Sequence, residues 1–439
     1  MKSLIKIFAA SAAALLAFAC QPKVLPVEIS VQLFSDNEVL AQNGVTVSLA
    51  DAAGTATFEA VTDAAGIAKF TVNPGSYTAT ATFKNVENGK RVVYNGSNTA
   101  ILVAAGPAEA PFKLELQKIE SQQLIIKELY SGGCMKNDNS SAYQNDKYII
   151  VYNNSEFEAD ASDLVIGIVN PYNANGSNRY YSGDNLVYAN ENWIPAGGGI
   201  YCFKNPLTIP AYSQIVIAVF GAIDHTATVS ASVNLANAEY YWMANTDIPG
   251  YTMAKYVAAD VIPASHYMSG YQINLGTAWV LSNTSPALFI GKMDAASLKA
   301  LCTNTDAFDE TAGTGNINWA AKFPKANVVG AIEVFGAATL DASHYRFPSD
   351  INTGYAKLTN QKGYSLYRNV DKEATEALPE NAGKLVYNYA LGTQDVDGST
   401  DPSGIDAEAS IAAGAHIIYL QTNDSSKDFH QRKLASLKK

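Results

Sequence analysis

The chain has 439 residues, a net charge of −11 and a pI near 5.0, although only 16% of its residues are charged. This acidity argues against a nucleic-acid partner, which needs a basic face to neutralise phosphates. A hydrophobic content of 48% excludes a wholly disordered chain, and the length predicts two or three domains. The 25 tyrosines and 31 glycines suit short strands joined by turns, so we expect an all-β protein.

Residues 1–19 have the pattern of a secretory signal peptide. Lys2 and Lys6 precede an apolar run that is too short to span a bilayer durably. The run ends at Cys20, and this arrangement resembles a bacterial lipobox, whose cysteine receives diacylglycerol before cleavage. An ordinary signal peptide that contains a cysteine is the alternative. Lipidation of Cys20 would anchor the mature chain in a membrane, because each buried CH₂ group contributes about 0.8 kcal/mol.

Residues 20–26 form a short proline-bearing tether after the signal. This tether lacks the acidic cluster that often marks export to the cell surface in Bacteroidota-type lipoproteins. We therefore expect a lipid-anchored outer-membrane protein of the cell envelope, and we favour the periplasmic face over the outer surface.

Residues 27–118 have the pattern of a small β-sandwich. The segment VEISVQLF alternates between apolar and polar residues, and a later string, T-D-x-x-G-x-A-x-F…P-G-x-Y, ends at Tyr77. Turns at 62–66 and 74–75 separate the strands of this string. The string resembles the carboxypeptidase regulatory-like, or prealbumin-like, domain. That resemblance implies a spacer or docking module in which Tyr77 is a core anchor.

Residues 123–439 are expected to form a larger β domain with long loop insertions. QLIIKELYSGG, at 123–133, predicts a strand that runs into a glycine loop, and Tyr148–Tyr152 predicts a second strand. With the closing segment NDSSKDF at 423–429, these stretches resemble the lamin-tail domain. The resemblance implies an elaborated immunoglobulin-like β-sandwich.

Taken together, the lipobox, the small module and the larger sandwich resemble one family over residues 20–439. It is the domain-of-unknown-function 4876 family of Bacteroidota-type lipoproteins. The resemblance implies a small β module followed by a larger β-sandwich, and a location in the cell envelope. The family has no assigned activity, so no catalytic residues are transferred from it.

Long insertions are predicted at 170–208, 227–286 and 293–327. The third should contain a short helix at 294–302 that is capped by Asp294. The first two are rich in aromatic residues that either line a concave ligand-binding face or form small cores of the loops themselves. The candidate ligand-binding aromatics are Tyr180, Tyr181, Trp193, Tyr240, Tyr241 and Trp242.

Catalytic motifs are not evident in the sequence. It contains no G-x-S-x-G nucleophile elbow and no phosphate-binding or dinucleotide-binding glycine motif. His266 and His344 both occur in the tetrapeptide Ala-Ser-His-Tyr, and a metal site there would need Asp260 or Asp341 as a carboxylate ligand. His225 follows Asp224 at the end of a predicted strand, where a role in a turn is favoured over catalysis. We expect no enzyme.

Three cysteines follow Cys20, namely Cys134, Cys202 and Cys302. They form no C-x-x-C or Cys/His spacing, so a zinc site is not predicted. An oxidising compartment would allow one disulfide bond among them, and the sequence leaves the pairing open.

An acidic stretch, DVDGSTDPSGIDAEAS, occupies residues 395–410. It is not an EF-hand, because Thr400 stands where the loop requires glycine and Asp406 replaces the bidentate glutamate. One alternative is a looser calcium site formed by Asp395, Asp397, Asp401 and Asp406. The other is an acidic turn in which Asp401 and Ser403 accept local backbone N–H groups. No other cofactor is expected.

These observations predict a non-enzymatic, membrane-anchored envelope lipoprotein that acts as a binding or accessory module. Its partner would be an outer-membrane transporter or another envelope protein. One alternative is a carbohydrate-binding lipoprotein that uses the aromatic insertions to bind a glycan. A metal-assisted hydrolase is the remaining alternative.

Overall fold

The computed structural model describes residues 25–106, 110–175, 179–182, 185–387 and 400–438. Within these ranges strands greatly outnumber helices, which confirms the predicted all-β class. The chain divides into two compact units, Met1–Ser121 and Gln122–Lys439. The predicted signal peptide and Cys20 lie outside the described residues. No helix in the described ranges is both long and apolar enough to cross a membrane.

The first unit consists of two antiparallel-rich sheets around one core. Its described strands are β1 (Val27–Ser35), β2 (Glu38–Val39), β3 (Thr46–Asp51), β4 (Thr57–Val61), β5 (Ile67–Val72), β6 (Gly75–Glu87), β7 (Lys90–Val103), β8 (Phe112–Glu115) and β9 (Gln117–Gln122). One sheet has the order β2-β1-β5 with β8 on β1, and the other has the order β4-β3-β6-β7-β9. Alternate residues of β1, such as Ile29 and Val31, are buried in the core, as expected for a strand with one buried face.

The predicted turn before β5 requires its glycine. Gly66 has a φ of +77°, and a Cβ atom there would lie 2.1 Å from the carbonyl oxygen of Leu40. Asp63 completes the turn by accepting the backbone N–H groups of Ala65 and Ile67. Tyr77 is buried and its hydroxyl donates to Asn73 O at 2.8 Å, which confirms its predicted role as a core anchor.

The second unit contains many short strands and a few short helices. Its described strands are β10 (Leu124–Tyr130), β11 (Cys134–Met135), β12 (Ala142–Tyr143), β13 (Tyr148–Asn153), β14 (Ala159–Asp160), β15 (Leu164–Val169), β16 (Tyr181–Ser182), β17 (Asn185–Leu186), β18 (Trp193–Cys202), β19 (Thr208–Ile209), β20 (Gln214–Ala218), β21 (Gly221–Ala222), β22 (Tyr241–Trp242), β23 (Val257–Ala258), β24 (Ser269–Gln272), β25 (Ala287–Lys292), β26 (Ala321–Pro324), β27 (Val328–Gly336), β28 (Ala356–Leu358), β29 (Ser365–Arg368) and β30 (Phe429–Arg432). Its described α-helices are α1 (Ala295–Thr303), α2 (Lys372–Glu376), α3 (Ala407–Ala412) and α4 (Ser425–Asp428). Short 3₁₀ helices occur at His225–Ala227, Ala264–His266, Thr305–Ala307, Lys325–Asn327, Ala337–Ala342 and Pro379–Asn381. Asp294 caps α1 by accepting two backbone N–H groups, which confirms the predicted helix.

Two sheets pack face to face in the second unit. The first has the order β22-β20-β13-β10-β29-β30, and the second has the order β24-β18-β15-β25-β27-β28 with β26 on β18. The core between them includes Leu164, Ile166 and Ile168 of β15. This arrangement is a β-sandwich.

Each sheet of this sandwich is also covered on its outer face. Val165 and Val169 of β15 point away from the central core and pack with aromatic residues of the first insertion and with α1. On the first sheet, Ile125, Tyr152 and Tyr367 pack against the chain around α3. The first and third insertions cover the second sheet, and the chain around α3 covers the first sheet. These layers explain why β10, β13 and β15 are buried along their whole length.

Candidate ligand-binding cleft

A cleft of about 350 Å³ lies beside β22, between the loop after β18 and the 3₁₀ helix Ala264–His266. The ring of Tyr241 stacks on His266, with centroids 4.3 Å apart and planes 18° apart. Phe203 meets the Tyr241 ring edge-on at 5.1 Å. We call this site the Tyr241 cleft and define it by Phe203, Lys204, Asn205, Tyr241, Ser265 and His266.

The backbone of β22 holds Tyr241 in place through its neighbour Trp242. The Trp242 side chain is only 4% exposed, and its indole N–H donates to Phe220 O at 2.5 Å. Successive side chains of a strand point to opposite faces, so burying Trp242 directs Tyr241 to the other side. Tyr241 is half-buried and lines the cleft.

Polar groups fix the walls of the Tyr241 cleft. Asn205 Nδ2 donates to Ser265 O at 3.1 Å and joins the two loops. Lys204 Nζ lies 2.7 Å from Asp247 Oδ2, and this hydrogen bond holds the pKa of Asp247 below its ordinary value. His266 Nδ1 lies 3.3 Å from the carbonyl oxygen of Tyr240, which can only accept, so Nδ1 is the donor and Nε2 is the acceptor of the neutral imidazole. The cleft thus combines aromatic surface with a lysine donor and an imidazole acceptor.

A second cavity of about 470 Å³ lies beside Tyr240, the residue before β22. We call it the Tyr240 cavity and define it by Thr226, Ser230, Ser232, Asn234, Asn237 and Tyr240. Its lining is mostly hydroxyl and amide groups. It can therefore offer several hydrogen bonds to a polar ligand and one aromatic ring to an apolar face.

Behind the Tyr240 cavity lies a buried carboxyl group. Asp146 Oδ2 accepts hydrogen bonds from Ser232 Oγ at 2.5 Å and from Tyr130 Oη at 3.2 Å. Burial raises the pKa of Asp146 because the charged carboxylate loses its hydration. Nearby, His225 Nε2 donates to Gly221 O at 2.9 Å, and this bond fixes the imidazole in the 3₁₀ turn, in line with the predicted turn role.

The candidate aromatics of the first insertion lie in the cover layer of the second sheet. Tyr180 is 1% exposed and meets Tyr188 edge-on at 5.5 Å. Trp193 stacks on Tyr188 at 5.7 Å, and Tyr181 packs on His344 at 4.8 Å. Tyr180 is buried in the cover layer and Trp242 in the central core, whereas Trp193 is partly exposed and packs against the cover layer. Tyr240, Tyr241 and Tyr181 keep partly exposed rings.

Sequence reasoning placed Tyr241 in the site but missed three neighbours that follow β18. Phe203, Lys204 and Asn205 lie far from Tyr241 in the chain. No local pattern distinguishes them from any other residue after a strand. The repeated Ala-Ser-His-Tyr did mark His266, although its imidazole serves as a stacking partner there.

The histidines considered for a metal site are in different surroundings. His266 stacks on Tyr241, whereas His344 packs on Tyr181. Within the described ranges, no group of three or more His, Cys, Asp or Glu side chains has the arrangement of a metal site.

The acidic stretch is partly described. Asp395 and Asp397 lie outside the described residues. Asp401 Oδ1 accepts Ser403 N at 2.8 Å, a local bond of the kind that the turn alternative predicted. Its Oδ2 accepts Val370 N at 2.9 Å, from a distant part of the chain. Asp406 caps α3 by accepting Ala409 N at 3.0 Å. These carboxylates therefore serve backbone groups of the chain.

The remaining cysteines Cys134, Cys202 and Cys302 are buried as free thiols. Burial raises the pKa of Cys202 to about 11 and that of Cys302 to about 12, because the thiolate would lose its hydration. Thiols of this kind are chemically inert near neutral pH.

Comparison with known proteins finds a family match that includes part of the cleft. Residues 212–389 match the profile of a family described as "Protein of unknown function (DUF4876)". A crystal structure of a DUF4876 family protein from Bacteroides thetaiotaomicron has the same fold, with a TM-score of 0.56 and 15% sequence identity. The alignment covers 92% of this chain and 94% of that chain.

Residues 212–389 are similar to the DUF4876 family.

Tyr241, Ser265 and His266 lie within the matched residues, whereas Phe203, Lys204 and Asn205 precede them. The major pilin subunit of Bacillus cereus also aligns, at 11% identity over 62% of this chain and 88% of that chain, but its TM-score is only 0.15. No curated protein matches the chain at a significant level.

Proposed function

We propose that the protein is a non-enzymatic, lipid-anchored envelope lipoprotein that binds a ligand or partner at the Tyr241 cleft. Its partner class is an outer-membrane transporter or another envelope protein. The observation that carries the binding role is the stack of Tyr241 on His266 in the lining of a cleft. Half-buried aromatic rings next to fixed polar groups are typical of recognition sites.

The arrangement of the cleft favours recognition because its rings are already positioned. Phe203, Tyr241 and His266 hold one another through ring contacts, and Asn205 joins the two loops. A preformed site loses less conformational entropy when its partner binds. The proposal therefore predicts binding without a large rearrangement.

An affinity pull-down of the tagged mature lipoprotein from its own envelope tests this function. A transporter or another envelope protein should elute with the wild-type protein and be lost with Tyr241→Ala. Tyr387→Ala is the matched control, because this tyrosine is 52% exposed and lies outside the cleft. Equal recovery with all three proteins would contradict a binding role for the cleft.

A second candidate function is carbohydrate binding. The apolar face of a sugar ring packs on aromatic rings such as Tyr241, and its hydroxyl groups suit the Lys204 donor and the His266 acceptor. Enrichment on glycan-coated beads that depends on Tyr241 would favour this function over a protein partner.

The anchoring is tested separately at Cys20. A Cys20→Ala variant should leave the membrane fraction and appear in the soluble fraction, because it lacks the site of lipidation. Sedimentation of the variant with membranes at the wild-type level would overturn the lipoprotein part of the proposal.

A further inference from the structure

A third cavity, of about 610 Å³, lies between the first and third insertions of the second unit. Most of its lining comes from the segment after β15 and from the segment between α1 and β26. It shares no lining residue with the Tyr241 cleft, so it is a separate place at which the protein can hold a small ligand. We call it the Arg179 cavity and define it by Asn170, Tyr172, Arg179, Tyr180, Ile317 and Asn318.

The guanidinium group in this cavity has no anion of the protein to bind. Within the described part of the chain, Arg179 makes no hydrogen bond and no ion pair. Two acids of the third insertion already have other partners, since Asp309 accepts Thr311 Oγ1 at 2.8 Å and Glu310 accepts Trp319 Nε1 at 2.9 Å. The five N–H donors of the guanidinium are therefore available to a ligand.

A glycine makes room for this guanidinium. Gly313 has a φ of +133°, and a Cβ atom there would lie 3.1 Å from Arg179 Nη1 and 2.9 Å from Asn318 Nδ2. The two nitrogens therefore converge near one point above the Gly313 backbone. Asn318 Nδ2 donates one N–H to Thr314 O at 3.2 Å, which leaves its second N–H for a ligand. The cavity thus offers two neighbouring donors, of which one is charged.

Apolar surface lies in the same cavity. Tyr172 is 39% exposed and Ile317 is 63% exposed, and both belong to the lining. An aromatic ring and a branched aliphatic side chain gain free energy when a ligand removes them from water. A ligand that uses the whole cavity therefore needs an apolar ring as well as an anionic group.

We propose that the Arg179 cavity binds a small carboxylic acid that bears a ring. The carboxylate accepts from the Arg179 guanidinium, whose planar fork matches the two oxygens of a carboxylate. Asn318 donates to the same group, and the ring of the ligand packs on Tyr172 and Ile317. An inorganic anion has no apolar part and gains nothing from these two side chains. The site is independent of the function proposed for the Tyr241 cleft.

Calorimetric titration of the full mature chain with benzoate tests the charged part of the site. Benzoate should bind more tightly than benzamide, which has the ring but lacks the charge. Arg179→Met should weaken benzoate binding by about 10- to 100-fold, because hydrogen bonds to a charged group are lost. Arg179→Lys should recover only part of this affinity, since lysine cannot form the bidentate pair. Arg91→Met, in the first unit, removes the same charge and is the matched control.

The apolar part of the site is tested with acetate, which has the charge but lacks the ring. Acetate should bind more weakly than benzoate, and Tyr172→Ala should weaken benzoate while leaving acetate unchanged. Asn318→Asp should weaken both, because it replaces a donor with a negative charge. Thermal melting of each variant separates a loss of binding from a loss of folding.

The contrary results are distinct from one another. Absence of benzoate binding at millimolar concentration, or equal affinity in wild type and Arg179→Met, would overturn the site. Inorganic phosphate that binds as tightly as benzoate would overturn the assignment to a ring-bearing carboxylate. None of these results bears on the Tyr241 cleft, because no variant in the series changes a residue of that cleft.

Discussion

Arg346 and Glu333 form an ion pair in which both side chains are 0% exposed, with Arg346 Nη2 2.6 Å from Glu333 Oε1. Glu333 Oε2 also accepts the backbone N–H groups of Arg346 and Phe347. Arg346 Nη1 donates to Ser285 O at 2.8 Å. The pair therefore satisfies its own charges and fixes the chain around β27 and the loop before β25.

We expect Arg346→Met to lower the free energy of unfolding by about 3–5 kcal/mol, because it leaves the Glu333 carboxylate buried without its partner. Urea denaturation at pH 7 measures the loss. The double variant Glu333→Leu/Arg346→Met should recover part of it, since both charges are removed while the backbone N–H groups of Arg346 and Phe347 lose their acceptor. A loss in the double variant as large as in Arg346→Met would contradict this account.

A second buried cation joins α3 to the first sheet. Lys127 Nζ lies 2.8 Å from Glu408 Oε1 and within 5.5–5.8 Å of the ring centroids of Tyr152, Tyr367 and Tyr419. Burial alone would raise the pKa of Glu408, but the Lys127 ammonium, the Tyr367 hydroxyl and the charge of Arg432 together hold this pKa below its ordinary value of 4.5. A carboxyl with a lowered pKa in the folded chain stabilises the fold above its unfolded pKa and loses this effect as the pH falls.

Glu408→Gln should therefore lower the free energy of unfolding by about 1.5–3 kcal/mol at pH 7, the range for a hydrogen bond to a charged group. The difference from wild type should shrink as the pH falls below about 4.5. Urea denaturation across this range measures it, and Glu376→Gln at an exposed pair is the control. A difference that does not change with pH would show that the Glu408 charge is not the cause.

The sequence predicted the class of the fold because its strands and turns have local signals. The turn at Gly66, the core position of Tyr77 and the cap at Asp294 all depend on residues within a few positions of one another. The turn formed by Asp401 and Ser403 is of the same kind. Such features follow from local hydrogen bonding and backbone sterics.

The division of the aromatic residues between core and cleft could not be predicted in this way. Tyr180 and Tyr241 both occur in polar, tyrosine-rich insertions, yet one is buried under the second sheet and the other lines a cleft. Whether each tyrosine is buried or lines a cleft depends on where its insertion packs on the sandwich. The cleft also needs Phe203, which tertiary packing alone brings to Tyr241.

His430 should make the fold sensitive to acid. It is buried with its Nδ1 2.7 Å from Asn369 Oδ1, and burial lowers the pKa of this imidazole to about 3 from an ordinary value of 6.5. Between these values the unfolded chain binds a proton that the folded chain does not, so stability falls as the pH falls. One such group contributes a slope of about 1.4 kcal/mol per pH unit.

His430→Gln should therefore show a flatter dependence of unfolding free energy on pH between 6.5 and 4 than the wild type does. Urea titrations at several pH values measure both slopes. His344→Gln, at an exposed imidazole, is the matched control and should keep the wild-type slope. Identical slopes in all three proteins would exclude His430 as the source.

Lys147 should make stability depend on pH in the alkaline range, between about 7 and 10.5. Its Nζ donates to Leu281 O at 2.5 Å and contacts Asn283 Oδ1, and burial, with the nearby charge of Lys255, lowers its pKa to about 7 from 10.5. From pH 7 to 10.5 the unfolded chain holds a proton that the folded chain lacks, so this group makes stability rise with pH.

Lys147→Met removes the group, and the stability of the variant relative to wild type should improve by about 1.4 kcal/mol for each unit that the pH falls from 10 to 7. Urea denaturation at pH 7, 8.5 and 10 measures this difference. Lys299→Met, at an exposed position of α1, is the control. A difference between Lys147→Met and wild type that stays the same at all three pH values would mean that Lys147 keeps an ordinary pKa in the folded chain.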